Sequence, residues 1–208
     1  MTQAGDKFPH WLGVSRETED KLDALCALVV KWNPAINLVS KTTLPEIWSR
    51  HVLDSAQLFA FVPSYACNWL DLGSGAGFPG LVLAILAEDL KPNFNITLVE
   101  SDQRKAVFLS EAVRTLATTA AVKCQRIEDL LPQNANIVSA RALAPLEVLC
   151  GFAKTHLAAN GVAIFPKGVN YESEIAKARA SWRFSIQTTP SHSDPTAAII
   201  SLKDIVNA

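Results

Sequence analysis

The residues whose types and spacing best suit chemistry in this chain lie between Cys67 and Gly80, in the sequence C-N-W-L-D-L-G-S-G-A-G-F-P-G. A short apolar run predicts a buried strand, and Asp71 stands at its carboxyl end. Gly73, Gly75 and Gly77 follow at every second position, which lets the backbone take positive φ and approach a ligand closely. Because three such glycines cost order in a purely structural turn, we expect this loop to bind a ligand.

Two kinds of nucleotide-binding fold use a loop of this type. Residues 75–80 match the G-x-G-x-x-G pattern of dinucleotide-binding proteins, but that pattern should begin directly after the strand, whereas the first glycine here is Gly73. The arrangement D-x-G-x-G-x-G, which begins at Asp71, resembles the first motif of class I S-adenosylmethionine (SAM) methyltransferases. The resemblance implies that the glycines pass under the methionine part of SAM, and it favours SAM over NAD as the cofactor.

Two acids farther along the chain are candidates for holding the nucleoside part of a cofactor. Glu100 ends the second predicted strand, roughly twenty residues after the glycine loop, where an acid can bind both ribose hydroxyls. The alternative is that Glu100 caps the helix that begins near Asp102. Ile127 and Glu128 follow the third strand, where methyltransferases of this class close over adenine; a solvated turn is the alternative for Glu128.

The residues after the fourth predicted strand decide the reaction in most nucleic-acid methyltransferases, and here residues 139–145 read S-A-R-A-L-A-P. They contain no N-P-P-Y-like motif for an exocyclic amine and no Pro-Cys nucleophile for pyrimidine carbon 5. Arg141 is the candidate catalytic residue. Its guanidinium suits the methionine carboxylate, a guanine edge or a phosphate, and the alternative is a weak surface pair with Glu147.

The elements that must position these residues alternate between strand and helix from Cys67 onward, which predicts a doubly wound, mostly parallel α/β sheet of seven strands. Two final strand-like runs, over 184–188 and 197–203, predict a hairpin that makes one edge antiparallel. The predicted ranges are strands 67–72, 95–100, 121–125, 136–140 and 162–166 and helices 79–88, 102–116, 145–158 and 171–181.

The residues before the glycine loop predict helices alone. A first helix carries apolar residues at intervals of three and four and should end at Asn33-Pro34. Thr43 and Glu46 form a capping-box pattern for a second helix that runs to Val62. We therefore divide the chain into an N-terminal helical extension, residues 1–62, and a SAM-dependent methyltransferase domain, residues 63–208, within one folding unit.

Composition sets limits on the class of protein. The chain has 208 residues, 49% of them hydrophobic, and a net charge of −1, so it suits one buried core, and RNA binding would require a local basic surface. The four cysteines form no C-x-x-C pair and lie in apolar stretches, which favours buried free thiols over a metal site. With no signal-peptide pattern or apolar run of about twenty residues, we expect a soluble, cytoplasmic protein without a membrane partner. We also expect a monomer without a metal partner.

Five motifs in order along residues 32–170 resemble those of the bacterial small-subunit ribosomal RNA guanine-N7 methyltransferase family, the glucose-inhibited division protein B group. They read W-N-P-A-I-N-L-V-S, R-H-V-L-D-S, D-L-G-S-G-A-G-F-P-G, S-A-R-A-L-A and F-P-K-G. The glycine loop is generic, whereas R-H-x-L-D-S and S-x-R-A are distinctive. The resemblance implies SAM-dependent methylation of N7 of one guanine in 16S ribosomal RNA, near the decoding region.

The resemblance also assigns residues. It implies that the SAM pocket is lined by Gly73, Phe78, Ile127, Glu128 and Arg141, in addition to Asp71, Gly75 and Glu100 named above. Arg50 and Lys167 are the candidates for contact with RNA, either as 16S ribosomal RNA or as a small ribosomal subunit particle.

Two questions stay open at this level, the role of His51 and Asp54 and the class of protein. His51 and Asp54 lie three positions apart on one face of the second helix and could touch; we expect them to join the extension to the catalytic body, and the alternative is a catalytic acid and base. The alternatives to the RNA methyltransferase are a methyltransferase for a small molecule and a non-catalytic SAM-binding module for ribosome assembly.

Overall fold

A computed structural model describes residues 12–91 and 93–208. Helix α1 (Arg16–Ile36) is followed by an irregular helical segment that consists of a 3-10 turn (Leu44–Glu46), a π-helix (Trp48–Leu53), α2 (Asp54–Ala56) and a second 3-10 turn (Gln57–Phe61). The remaining elements are β1 (Asn68–Leu72), α3 (Gly80–Leu90), β2 (Asn95–Glu100), α4 (Gln103–Thr115), β3 (Ala121–Cys124), a 3-10 turn (Ile127–Asp129), β4 (Ala135–Ala140), α5 (Leu146–His156), β5 (Leu157–Lys167), α6 (Tyr171–Ala178), β6 (Trp182–Pro190) and β7 (Ala198–Asn207).

The seven strands form one sheet in the order β3-β2-β1-β4-β5-β7-β6. Strands β1 to β5 pair in parallel, and β7 pairs antiparallel with both β5 and β6. The doubly wound fold and the antiparallel edge hairpin predicted from the sequence are confirmed. The chain order reverses between β1 and β4, and ligands of open α/β sheets bind outside the carboxyl ends of the strands at such a point.

Buried apolar side chains form a cluster on each face of the sheet. The first contains Leu22 of α1, Val52 and Leu58 of the irregular segment, and most of α3. The second lies under α5 and α6. The helical extension therefore shares a core with the sheet. The boundary between residues 62 and 63 stays a prediction, and residues 1–11 of the predicted extension lie outside the described residues.

Two helix predictions in the extension are wrong, the end of the first helix and the capping box of the second, whereas the helical segment does end at Val62 as predicted. Helix α1 continues past Pro34 to Ile36 and ends at Asn37, which has φ 49° and donates its backbone N–H to Asn33 O. A proline in the last turn removes one hydrogen bond only, and the Asn33 side chain accepts a bond from Val39 N, so the sequence signal for a stop was overridden. Thr43 makes no capping bond to the helix; its hydroxyl donates to Ser40 O instead.

All four cysteines are free thiols, as predicted, but only Cys26 and Cys150 are buried; Cys67 and Cys124 are exposed. These two lie at the ends of short strands, where the apolar neighbours do not enclose them. In the described part of the chain, no helix is both long and apolar enough to cross a bilayer.

Candidate functional site

The glycine loop follows β1, and its three alternating glycines Gly73, Gly75 and Gly77 have φ angles of 66°, 55° and 87°, in the left-handed region. A Cβ atom on Gly73 would lie 2.6 Å from Leu143 Cδ1, and one on Gly77 would collide with Leu81. A Cβ on Gly75 would have no neighbour closer than 3.7 Å. Internal packing therefore requires two of the glycines, whereas the surface at Gly75 is open to a ligand.

Asp71 lies beneath this loop and is fully buried. Its Oδ1 accepts a hydrogen bond from Ser139 Oγ at 2.6 Å, and Ser139 in turn accepts from Trp69 Nε1. Burial raises the pKa of Asp71 to about 6, against the opposing effect of the Ser139 bond. In this structure the Asp71 carboxylate supports the loop from below, and its predicted role as a cofactor contact stays a prediction.

Glu100 at the end of β2 is directly bonded to the glycine loop. Its Oε2 accepts from Gly75 N at 2.9 Å, and its Oε1 accepts from Asp102 N at 2.8 Å. Asp102 itself caps α4, because its side chain accepts from two backbone amides of the first turn. Asp102 is therefore the capping side chain, and Glu100 binds only the backbone amide of that cap residue. Each carboxylate oxygen of Glu100 can accept a further bond, and its role as the ribose contact stays a prediction.

Ile127 and Glu128 form the 3-10 turn after β3. The Ile127 side chain packs on the cluster under α5, and Glu128 is exposed, in a loose pair with Arg126 at 3.4 Å. The turn follows β3, whose carboxyl end pairs with that of β2 at Glu100. Within residues 12–91 and 93–208 the Glu128 side chain pairs with Arg126 alone, and the role of the turn as an adenine contact stays a prediction.

Arg141 is held by the segment that contains R-H-V-L-D-S. Its Nε lies 2.9 Å from Asp54 Oδ2, its Nη1 donates to His51 Nδ1 at 3.0 Å, and its Nη2 donates to Arg50 O at 2.8 Å. The predicted link between extension and body is present, and it runs through Arg141 instead of a direct contact between His51 and Asp54. The surface pair with Glu147 is absent, since the Glu147 carboxylate accepts from Ser181 Oγ.

These bonds fix the tautomer of His51. Arginine has no acceptor, so His51 Nδ1 must accept, and the proton lies on Nε2, which donates to Thr43 Oγ1 at 2.9 Å. Burial, followed by the positive charges of Arg141 and Arg50, lowers the pKa of His51 to about 4. The neutral ring stacks on Phe78, with ring centroids 5.0 Å apart. His51 therefore connects the glycine loop to Arg141.

A cavity of about 880 Å³ opens beside the glycine loop, at the carboxyl ends of β4 and β5. Leu143, which contacts Gly73, forms part of its wall. Its charged lining consists of four basic and four acidic residues, which are Arg50, Arg141, Lys167, Lys177, Asp54, Glu147, Glu174 and Asp194. Arg50 is exposed, but Lys167 is 10% exposed and paired with Glu174 at 2.7 Å. Lys167 thus lines the cavity without a free charge.

Comparison with known proteins shows which family this chain belongs to. Residues 18–197 match the family described as "rRNA small subunit methyltransferase G". The chain belongs to that family. A relative in Cereibacter sphaeroides strain ATCC 17029, named "Ribosomal RNA small subunit methyltransferase G", is 55% identical over 196 residues, which cover 94% of this chain and 95% of the relative. The family resemblance inferred from the five motifs is confirmed.

Solved structures agree on the fold of the family member described here. A SAM-dependent methyltransferase from Aquifex aeolicus has a TM-score of 0.60 at 13% identity and covers 76% of this chain and 92% of its own. M. jannaschii TYW2 in complex with AdoMet has a TM-score of 0.56 at 14% identity, with 84% and 80% covered. At these identities the likeness shows the class I methyltransferase fold alone.

The family motifs therefore converge on two adjoining regions. The glycine loop and Glu100 form one, and Arg50, Arg141 and Lys167 share the cavity. Sequence reasoning missed the partners supplied by the connection between β6 and β7. Ser193 Oγ donates to Asp54 Oδ1, and Gln57 Nε2 donates to Ser191 Oγ at 3.0 Å. These bonds join residues more than a hundred positions apart, and no local pattern marks them.

Proposed function

We propose that this protein is a SAM-dependent enzyme that methylates N7 of one guanine in 16S ribosomal RNA, near the decoding region. The observation that supports the proposal is the contact between Leu143 and Gly73, because a loop suited to a nucleoside cofactor then lies against the cavity lined by four basic residues, Arg50, Arg141, Lys167 and Lys177. Membership of the rRNA small subunit methyltransferase G family supports ribosomal RNA as the substrate.

The residues present fit SAM. Gly75 gives the open backbone surface for the methionine part, Glu100 keeps acceptors for the ribose, and Ile127 offers an apolar face to adenine. The positive φ angles of the loop allow this close approach. When bound, SAM supplies a methyl group made electrophilic by the sulfonium. NAD is not favoured, because the first glycine lies one step too late for the dinucleotide pattern.

The cavity residues hold and orient the guanine. Arg141 is fixed by Asp54, His51 and Arg50 O, and three of its five N–H groups are occupied, so the other two remain for O6 of the base or for the methionine carboxylate. Burial lowers the pKa of Arg141, and Asp54 opposes the shift, but a guanidinium stays charged at any physiological pH. Positioning of this kind supplies rate without a proton transfer.

Guanine N7 is the atom that this site suits. It carries an in-plane lone pair, so no base has to remove a proton before it attacks the methyl group. Covalent attack on a pyrimidine requires a reactive cysteine, but Cys150 on α5 is buried and its pKa is raised to about 11. The loop after β4 also lacks an amide-proline pair to orient an exocyclic amine.

The test is methyl transfer from labelled SAM to small ribosomal subunits that lack the modification, with naked 16S RNA and a metabolite extract in parallel. We expect label in RNA, digestion to 7-methylguanosine, and chain breakage after borohydride and aniline. Label in a small molecule would identify the metabolite enzyme, and binding without transfer would identify the assembly module. A different methylated nucleoside would contradict N7 alone.

A further inference from the structure

Glu174 of α6 is an acid inside the cavity whose carboxylate is fixed from two sides. Its Oε2 accepts from Lys167 Nζ at 2.7 Å and from the backbone N of Leu146 at 2.8 Å. Lys167 Nζ also donates to Ala144 O at 2.8 Å, so the lysine itself is anchored to the loop after β4. The side chain of Glu174 is 26% exposed. This carboxylate therefore has a fixed orientation and a surface that faces solvent.

The two oxygens of this carboxylate are not equivalent. Oε2 accepts two bonds, whereas Oε1 has no hydrogen-bond partner among residues 12–91 and 93–208. The Lys167 ammonium lies 2.7 Å from Oε2, and a carboxylate paired in this way accepts hydrogen bonds and donates none. The cavity thus contains one oriented oxygen that can accept a hydrogen bond from a ligand and would lose its water if the ligand covered it without a donor.

We propose that Glu174 recognises the Watson–Crick edge of the target guanine and rejects adenine. The inference rests on the proposed function. Guanine presents N1–H and N2–H₂ donors on this edge, whereas adenine presents the lone pair of N1 to the same position. Unpaired RNA bases are read by hydrogen bonds on their edges, and a buried polar group left without its partner penalises the wrong base.

The proposal gives Lys167 a new role. With two of its three N–H groups bonded to Ala144 O and Glu174, Lys167 is a positioning residue for the recognising oxygen and not a phosphate contact. Arg50 and Lys177 line the same cavity. Neither makes a side-chain hydrogen bond or ion pair within the described residues, so these two are the cations available for phosphates.

The first measurement uses the wild-type chain. Guanosine and adenosine 5′-monophosphates are compared as inhibitors of methyl transfer to unmodified small subunits. If Glu174 accepts from guanine, the guanosine nucleotide should inhibit at a concentration at least about tenfold lower, the penalty of one unmade bond in a desolvated site. Equal inhibition would overturn the inference, whereas absent transfer without nucleotide would instead refute the proposed function.

The second measurement uses Glu174→Gln. The Gln carbonyl should keep the bonds to Lys167 and Leu146, since both are donors, and the amide NH₂ then replaces Oε1. A donor now faces the base, so kcat/KM should fall about tenfold or more and the preference for the guanosine nucleotide should vanish or reverse. Glu172→Gln, on the exposed face of α6, is the matched control and should change neither.

Binding of S-adenosylhomocysteine and the melting temperature report whether Glu174→Gln is folded. A folded variant that keeps the guanine preference would overturn the inference. If the variant does not fold, the comparison of the two nucleotides in the wild type decides alone.

Discussion

The ion pair between Arg141 and Asp54 allows a quantitative test of how the site is held together. In Asp54→Asn the side chain keeps its shape and can still accept from Ser193 and Gln57, but the negative charge beside Arg141 is lost. The Arg141 and Asp54 side chains are 22% and 14% exposed, so water can replace only part of the lost partner. Removing one member of a buried pair costs about 3–5 kcal/mol.

The remaining acceptors reduce this cost. His51 Nδ1 and Arg50 O still bind the guanidinium, so we expect a loss of about 2–4 kcal/mol in the free energy of unfolding, measured by urea denaturation. Glu111→Gln is the control, since it breaks the surface pair with Arg114, whose side chain is 75% exposed, and should cost about 0–1 kcal/mol. Equal losses in the two variants would refute the reasoning, and a cycle with Arg141→Met should show the pair's coupling.

Four further outcomes are expected. The pKa of His51 is lowered to about 4 in the folded protein, so the unfolded chain takes up a proton at this residue first as pH falls. Between pH 6.5 and 4 the free energy of unfolding of the wild type should therefore fall by up to about 3 kcal/mol relative to that of His51→Gln. Equal pH dependence of unfolding in the two proteins would contradict this. Asp71, with its pKa raised to about 6, acts in the opposite sense over much of that range, so only the difference between the two proteins is diagnostic. Glu100→Ala should weaken SAM binding by about 1.5–3 kcal/mol in calorimetry, and a folded variant with unchanged affinity would remove the ribose role. Gly80→Ala should lower the melting temperature sharply, because its Cβ would lie 2.6 Å from Asp71 Oδ2 and against Leu98; a normal melting curve would show that the loop can shift. Arg50→Gln should weaken RNA binding and lower the slope of log K against log salt by about 1, whereas an unchanged slope would exclude a phosphate contact.

The fold could be predicted because each of its elements carries a local signal. Periodicity located every strand of the sheet, and the final hairpin was visible from its turn-rich connection. The errors arose where a local rule met tertiary contacts: Pro34 is tolerated inside α1, and Thr43 bonds to His51 instead of capping a helix. A helix boundary that depends on a single residue is decided by tertiary contacts, which a local sequence pattern does not reveal.

The candidate site was predicted in part. Motifs identified the glycine loop, Glu100 and Arg141, because backbone geometry and charge restrict the residue types at such positions. The partners of these residues could not be predicted. Asp54 and Arg141 are separated by 87 positions, and no sequence pattern indicates that Glu174 pairs with Lys167. Whether a charged side chain binds a ligand or pairs with another residue depends on which groups lie near it in the folded structure.

The position of β7 joins the assembly of the sheet to the assembly of the cavity. This strand lies between β5 and β6, and the segment just before it supplies Ser191 and Ser193 to the network around Asp54. Pairing between segments that are distant in sequence is slow to form. We therefore expect the network around Asp54 to become ordered only when β7 has paired with β5, so one late folding step completes both the sheet and that wall of the cavity.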